Sequence, residues 1–280
     1  METGTDLVAP GRVAVVTGAA SGIGFGLAER FAAEGMRVVM ADVEEPALAE
    51  AAQVLGARGA EVLPVPTDVS RADHVDALRD RTLSTFGAVH VVCNNAGVGG
   101  APNPVWELPA SDWAWVLGVN LWGVVHGIRA FVPVLLEQDA GHVVNTASVF
   151  GLFAGNLGPY SVSKHGVVAL TETLHFQLRE REAGVGASVL CPGAVKTRFG
   201  DSARNRPPDV AVPPPVASAV HSKLGQLTGM GLEPAEVAAL VVAGIRERRF
   251  YILTSTNRNE AIRRRAEEIL AGGPPLSPLT

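Results

Sequence analysis

Tyr160-Ser161-Val162-Ser163-Lys164 sets a phenol and an ammonium four residues apart, and Ser148 stands twelve residues before the tyrosine. Residues four apart on a helix share a face, with Cβ atoms roughly 5–6 Å from each other. A cation held that close favours phenolate over phenol, so the spacing predicts a Tyr160 pKa drawn down from about 10 toward working pH. A tyrosine tuned in this way gives or takes a proton at an alcohol or carbonyl oxygen. Tyr and Lys are also ordinary helix-surface residues, so the pair acquires meaning only from the elements that position it.

Those elements begin with RVAVVT (12–17), a β-branched run apolar on both faces that reads as a buried parallel strand. Gly18-Ala19-Ala20-Ser21-Gly22-Ile23-Gly24 follows at once and opens a helix ending near Gly35. In this context a glycine turn brings backbone close to a phosphate, and the helix N-terminus supplies N–H donors. The sequence is therefore expected to bind a dinucleotide. The second strand, 36–42, ends on Asp42, where an acid accepts hydrogen bonds from adenosine ribose hydroxyls and repels a 2′-phosphate. Neither Val43 nor Ser21 is basic, so NAD is expected as cofactor, with NADP the alternative.

Further strands are read at 60–69, 89–93, 142–148, 186–191 and 250–254, with helices at 45–58, 71–86, about 111–136, 160–181, 233–247 and 258–270. Asp68-Val69 closes the third strand, and Asp68 reads either as an adenine contact or as the N-cap of the next helix. Asn94-Asn95-Ala96-Gly97 ends the fourth strand in a small-residue turn. Asn120 stands mid-helix, where Asn is poorly suited, which suggests a kink or a water site. Pro192-Gly193-Ala194-Val195-Lys196-Thr197 follows the sixth strand. Residues 198–233 form a long proline-rich loop, with a short helix expected at 215–227.

Composition narrows the class. The 280 residues are 47% hydrophobic and 18% charged, a well-buried α/β chain rather than a disordered one. A net charge of −5 argues against nucleic acid and anionic membranes as partners. No apolar run is expected to approach the roughly 20 residues needed to span a bilayer. Residues 1–11 lack a secretory leader pattern, are expected to be flexible, and leave the cytoplasm as the expected compartment. Cys93 and Cys191 read as buried reduced thiols, and no His/Cys cluster has metal-ligand spacing. No domain boundary interrupts 12–271, and 272–280 is expected to be a disordered tail.

The eight motifs in this order resemble the short-chain dehydrogenase/reductase family of the compact type, from about Arg12 to Thr254. The resemblance implies a single-domain, Rossmann-like, doubly wound parallel sheet of about seven strands flanked by helices. It implies Tyr160 as general acid/base, Ser148 stabilising the substrate oxygen, Lys164 holding the nicotinamide ribose and lowering the Tyr160 pKa, and Asn120 in a proton relay. The implied cofactor contacts are Gly18, Ser21, Gly22, Ile23, Gly24, Asp42, Val43, Asp68, Val69, Asn95, Ala96, Gly97, Tyr160, Lys164, Pro192, Gly193, Val195 and Thr197. The substrate is expected to be a small apolar or aromatic secondary alcohol or ketone, and the assembly a homotetramer or dimer. Trp106, Phe150, Leu152, Phe153, Asn156, Leu157 and Phe199 are the candidate pocket walls. A lyase, an epimerase or a non-catalytic nucleotide sensor is an alternative on the same fold.

Overall fold

Strands apolar on both faces must be covered on both faces, and here they assemble into one parallel sheet with helices on either side. The computed structural model describes residues 6–155, 157–211, 231–254 and 258–275. The strands are β1 (Val13–Thr17), β2 (Arg37–Asp42), β3 (Val62–Pro66), β4 (Val91–Asn94), β5 (Gly141–Thr146), β6 (Val185–Cys191) and β7 (Tyr251–Leu253). Their order is β3-β2-β1-β4-β5-β6-β7, and every neighbouring pair is parallel. The chain leaves β1 toward β3 and then resumes on the other side at β4. Ligands of such sheets bind at that reversal, beyond the carboxyl ends of the strands.

Helices α1 (Gly22–Ala33) and α2 (Glu45–Gly56) lie on one face with α7 (Pro234–Arg246), around Leu27, Phe31, Leu48 and Val241. Helices α3 (Ala72–Phe86), α5 (Gly123–Glu137) and α6 (Gly158–Glu180) cover the other, around Leu78, Phe131, Leu135 and Leu174. Helix α7 opens on a reciprocal capping box between Glu233 and Glu236. Charged α8 (Asn259–Ala271) has no buried residue.

Four expectations change. Residues 6–11 are not loose: Val8 is buried in the core, and the Gly11 N–H donates to the Gly35 carbonyl. The helix expected at 111–136 is α4 (Ala110–Leu117) joined to α5 through a π-helical turn, Gly118–Trp122. By length and composition, the stretch Ala110–Glu137 is apolar enough to cross a membrane, contrary to the expectation that no run is. Part of it, including Phe131 and Leu135, is buried against the sheet. Ser148 lies two residues beyond β5 and caps a short 3-10 turn, Val149–Gly151. The helix expected at 215–227 lies outside the described residues, as do Asn156 and 276–280 of the tail.

Candidate active site

The glycine turn is built by contacts that leave no room for side chains. Gly18 has φ +68°, and a Cβ there would lie 2.9 Å from Ala96 Cα. A Cβ on Gly24 would lie 2.0 Å from the Gly18 carbonyl oxygen. At the N-terminus of α1, Ser21 makes no side-chain cap and the first turn holds no acid, so its N–H groups face an open cleft. That cradle suits the pyrophosphate of a dinucleotide. Thr17 locks the turn to the next strand end: its Oγ1 accepts from Asn95 N–H at 2.9 Å and Ala96 N–H at 3.1 Å, and its carbonyl accepts from Asn95 Nδ2 at 3.0 Å.

Asp42 is anchored through both oxygens, Oδ2 accepting from Ala20 N–H at 3.0 Å and Oδ1 from Glu44 N–H at 3.1 Å. Asp68 does not cap α3. Its Oδ1 accepts from the Ser70 backbone and hydroxyl at 2.9 and 2.7 Å, and Arg71 occupies the N-cap position. Asn120 is buried in the π turn, where its amide pairs with Val98 like a strand neighbour. Oδ1 accepts from Val98 N–H at 2.8 Å, and Nδ2 donates to the Val98 carbonyl at 2.9 Å and to Ser163 Oγ at 3.1 Å. These bonds explain an Asn in mid-helix.

Ser148, Tyr160 and Lys164 meet beside β5 and β6. The Ser148 hydroxyl accepts from Phe150 N–H at 3.2 Å and hydrogen-bonds the Tyr160 phenol. Lys164 Nζ donates to the Thr146 carbonyl at 2.9 Å and stands 5.7 Å from the Tyr160 ring centre. The expected fall in the Tyr160 pKa is not found. Burial pushes the phenol up to about 12, with the Ser148 hydrogen bond pulling the other way. Burial also brings the Lys164 ammonium down to about 8. In so dry a site desolvation outweighs the neighbouring cation.

A cavity of about 520 Å³ joins these parts. Its lining includes every expected contact except Asn120 and Gly24, which shape it from behind through Val98 and Gly18. Among the described residues, Phe199 is the one expected pocket wall that lines it, its ring tilted against Tyr160 with centroids 5.3 Å apart. Trp106 is exposed, and Phe153 is buried against Phe150. Trp115, Pro207 and Pro208 form walls instead.

The segment after Thr197 crosses the cleft through contacts that spacing does not reveal. Gly99 N–H donates to Ser202 Oγ at 2.9 Å. Arg204 pairs with Glu44 at 2.5 Å, and Asn205 Nδ2 donates to the same carboxylate at 3.0 Å. Arg206 pairs with buried Asp112 at 2.6 Å, its guanidinium 4.4 Å from the Trp115 ring centre. Thr17 entered the sequence reading only as part of the Thr-Gly motif. The arginines carried no local signal, because their partners lie 160 and 94 positions away.

A parallel sheet with a glycine cradle at its switch point and a Ser-Tyr-Lys cluster on the same cavity defines a nicotinamide-dependent oxidoreductase. Residues 12–208 match the family model for short chain dehydrogenase, and the chain belongs to that family. It is similar to a short-chain dehydrogenase/reductase from Burkholderia phymatum solved in complex with NAD, at 47% identity and a TM-score of 0.94, covering 97% of this chain and 98% of that one. It is 37% identical over 261 residues to the 1-deoxy-11-beta-hydroxypentalenate dehydrogenase of Streptomyces exfoliatus, covering 92% of this chain and 88% of that protein. It is also 37% identical over 195 residues to 3beta-hydroxysteroid dehydrogenase 2 of Eggerthella lenta, covering 69% and 74%. The protein is an alcohol or ketone oxidoreductase acting on small molecules.

Proposed function

We propose that the protein is an NAD-linked dehydrogenase of secondary alcohols, with Tyr160 as its general acid/base. The observation that carries this reading is one cavity shared by an anchored Asp42 at one end and the Ser148–Tyr160 pair at the other. When bound, the nicotinamide accepts or supplies the hydride. Tyr160 takes the alcohol proton in oxidation and returns it in reduction. Ser148 donates to the same oxygen and stabilises its developing negative charge. Lys164 holds the nicotinamide ribose. Asn120 sits beside it across Gly97, where a Cβ would lie 3.3 Å from Asn120 Oδ1 and 3.5 Å from Lys164 Nζ. It positions a water that connects the ammonium to solvent.

Asp42 keeps one face of its carboxylate for ribose hydroxyls and disfavours a 2′-phosphate. Gly18, Ser21, Gly22, Ile23 and Gly24 hold the pyrophosphate. Val43, Asp68, Val69, Asn95, Ala96 and Gly97 border the adenosine half, and Pro192, Gly193, Val195 and Thr197 the nicotinamide. The names of the Streptomyces and Eggerthella relatives support bulky alicyclic alcohols as the substrate class. We take 12–271 as one domain and the protein as a cytoplasmic homo-oligomer. Exposed Trp122, Val162 and Phe176 on or beside α5 and α6 support association through those helices.

The test is a screen of secondary alcohols, aliphatic to steroid-like, with NAD and NADP as parallel oxidants and reduced cofactor read at 340 nm. Turnover with NAD exceeding that with NADP is expected. A clear NADP preference would overturn the Asp42 argument.

A further inference from the structure

The adenosine end of the cleft holds more charge than Asp42 alone. Glu44 follows two residues later, and its own N–H is the donor to Asp42 Oδ1. The Glu44 side chain reaches across to the segment after Thr197. There Arg204 Nε donates to both carboxylate oxygens at 3.1 Å, and Nη2 lies 2.5 Å from Oε1. The Arg204 hydrogen bond holds the Glu44 carboxyl below its ordinary range, so Glu44 is ionised at neutral pH. Arg198 also acts on Glu44 and is paired in turn with Asp201 at 3.1 Å. The Arg198 and Arg204 guanidinium groups thus line the cavity together with the carboxylates of Asp42 and Glu44, Arg198 being paired outside it with Asp201. Arg204 and Glu44 both line the cavity, each with about a fifth of its side chain exposed.

We propose that Glu44 is a second cofactor-specificity residue, acting through Arg204: by occupying the guanidinium it denies a ribose 2′-phosphate its cation. A phosphate at the adenosine ribose would seek a planar, bidentate donor, and arginine is the side chain best shaped to supply it. Arg204 has that shape and place, but both oxygens of Glu44 already accept from its fork. Discrimination here is therefore built twice, once by repulsion from Asp42 and once by occupying the Arg204 guanidinium. Refusal of a competitor by withholding its partner is a recognised route to specificity. The inference rests on the reading that this end of the cleft takes the adenosine half of NAD.

Fluorescence titrations with NADH and NADPH test it without a known substrate. They compare the wild type with Glu44→Gln, Arg204→Gln and the double variant. Glu44→Gln keeps the side-chain shape and frees the guanidinium. NADPH affinity is expected to rise about tenfold, the ratio that follows from one charge-assisted interaction of about 1.4 kcal/mol, with NADH affinity nearly unchanged. The double variant should lose that gain, and Arg204→Gln alone should show none. Unchanged NADPH affinity in Glu44→Gln, or a gain that survives removal of Arg204, would overturn the proposal. The wild-type preference is a separate readout. If the wild type binds NADPH more tightly than NADH, the NAD reading fails, while the contrast between the single and double variants still decides the role of Glu44.

Discussion

At the Tyr160 end of the cleft the ionisable groups are buried and meet hydroxyls and carbonyls; at the Asp42 end Glu44 and Arg204 are partly exposed and meet opposite charges. Lys164 donates to the Thr146 carbonyl and makes no ion pair among the described residues. Arg204, by contrast, is paired with Glu44, whose carboxylate also accepts from Asn205. At the first end, protonation is governed by the cost of desolvating a charge. At the second, it is governed by pairing that water and salt partly screen. Changes at the dry end should therefore appear in chemistry and in stability against pH, and changes at the paired end in cofactor choice.

The contrast sharpens within the segment after Thr197, which carries one pair of each kind. Asp112 has no exposed side-chain surface and Arg206 only 6%, so Arg206→Leu strands a buried carboxylate. That variant is expected to lose about 3 kcal/mol of unfolding free energy, because an uncompensated buried charge is costly. Chemical denaturation measures it. Arg204→Gln, at the partly exposed pair, should cost less than about 1 kcal/mol. Equal losses at both sites would remove the distinction between dry and wet pairing.

Ser148→Ala is expected to lower kcat about 100-fold, the effect of removing one donor to a developing oxyanion. Cofactor affinity should stay unchanged, since the loss belongs to the dry end. Steady-state kinetics with a fluorescence titration separates the two quantities. Weakened NADH binding with unchanged kcat would place Ser148 on the cofactor instead.

A smaller effect is expected at Lys164. Its folded pKa of about 8 lies below the ordinary 10.5. Between those values the unfolded chain binds the proton that the folded chain has released, so the stability contributed at this position rises with pH. Below about 8 both forms are protonated and the folded chain carries the full cost of a buried ammonium. Lys164→Met should therefore raise Tm at pH 7 by roughly 2–4 °C, the size of a 1 kcal/mol change in a domain of this class. The gain should shrink as pH approaches 10 in calorimetric scans. A gain constant across pH would show that the ammonium's burial is not its source.

Much of this was legible because it is local. The glycine turn, Asp42, and the motif at Asn94–Gly97 each follow a strand within a few residues, and β1, β2 and β4 bring them to one edge. The position of Tyr160 and Lys164 on one helix followed from their spacing, and α6 carries both. Their protonation did not follow, because spacing gives the distance between charges and says nothing of the water excluded around them. Asn120 looked anomalous in a helix. The reason, a pairing with Val98 from another loop, depends on a contact 22 residues away. Phe199 reaches the cavity as expected, but other walls differ for a similar reason: Phe150 and Phe153 are near Ser148 in sequence yet pack on each other, Trp106 turns to solvent, and Trp115 lines the cavity instead. The pairs Glu44–Arg204 and Asp112–Arg206 join distant segments, and no periodicity marks them.

The central claim is that the Tyr160 hydroxyl does the chemistry while cofactor affinity does not depend on it. Tyr160→Phe removes one oxygen and leaves the ring that packs against Phe199. Paired measurements of NADH affinity and alcohol-dependent NADH formation in this variant test the claim directly. The account predicts wild-type affinity for NADH with kcat reduced about 1,000-fold, the scale of a lost general acid/base. Turnover close to wild type would contradict it.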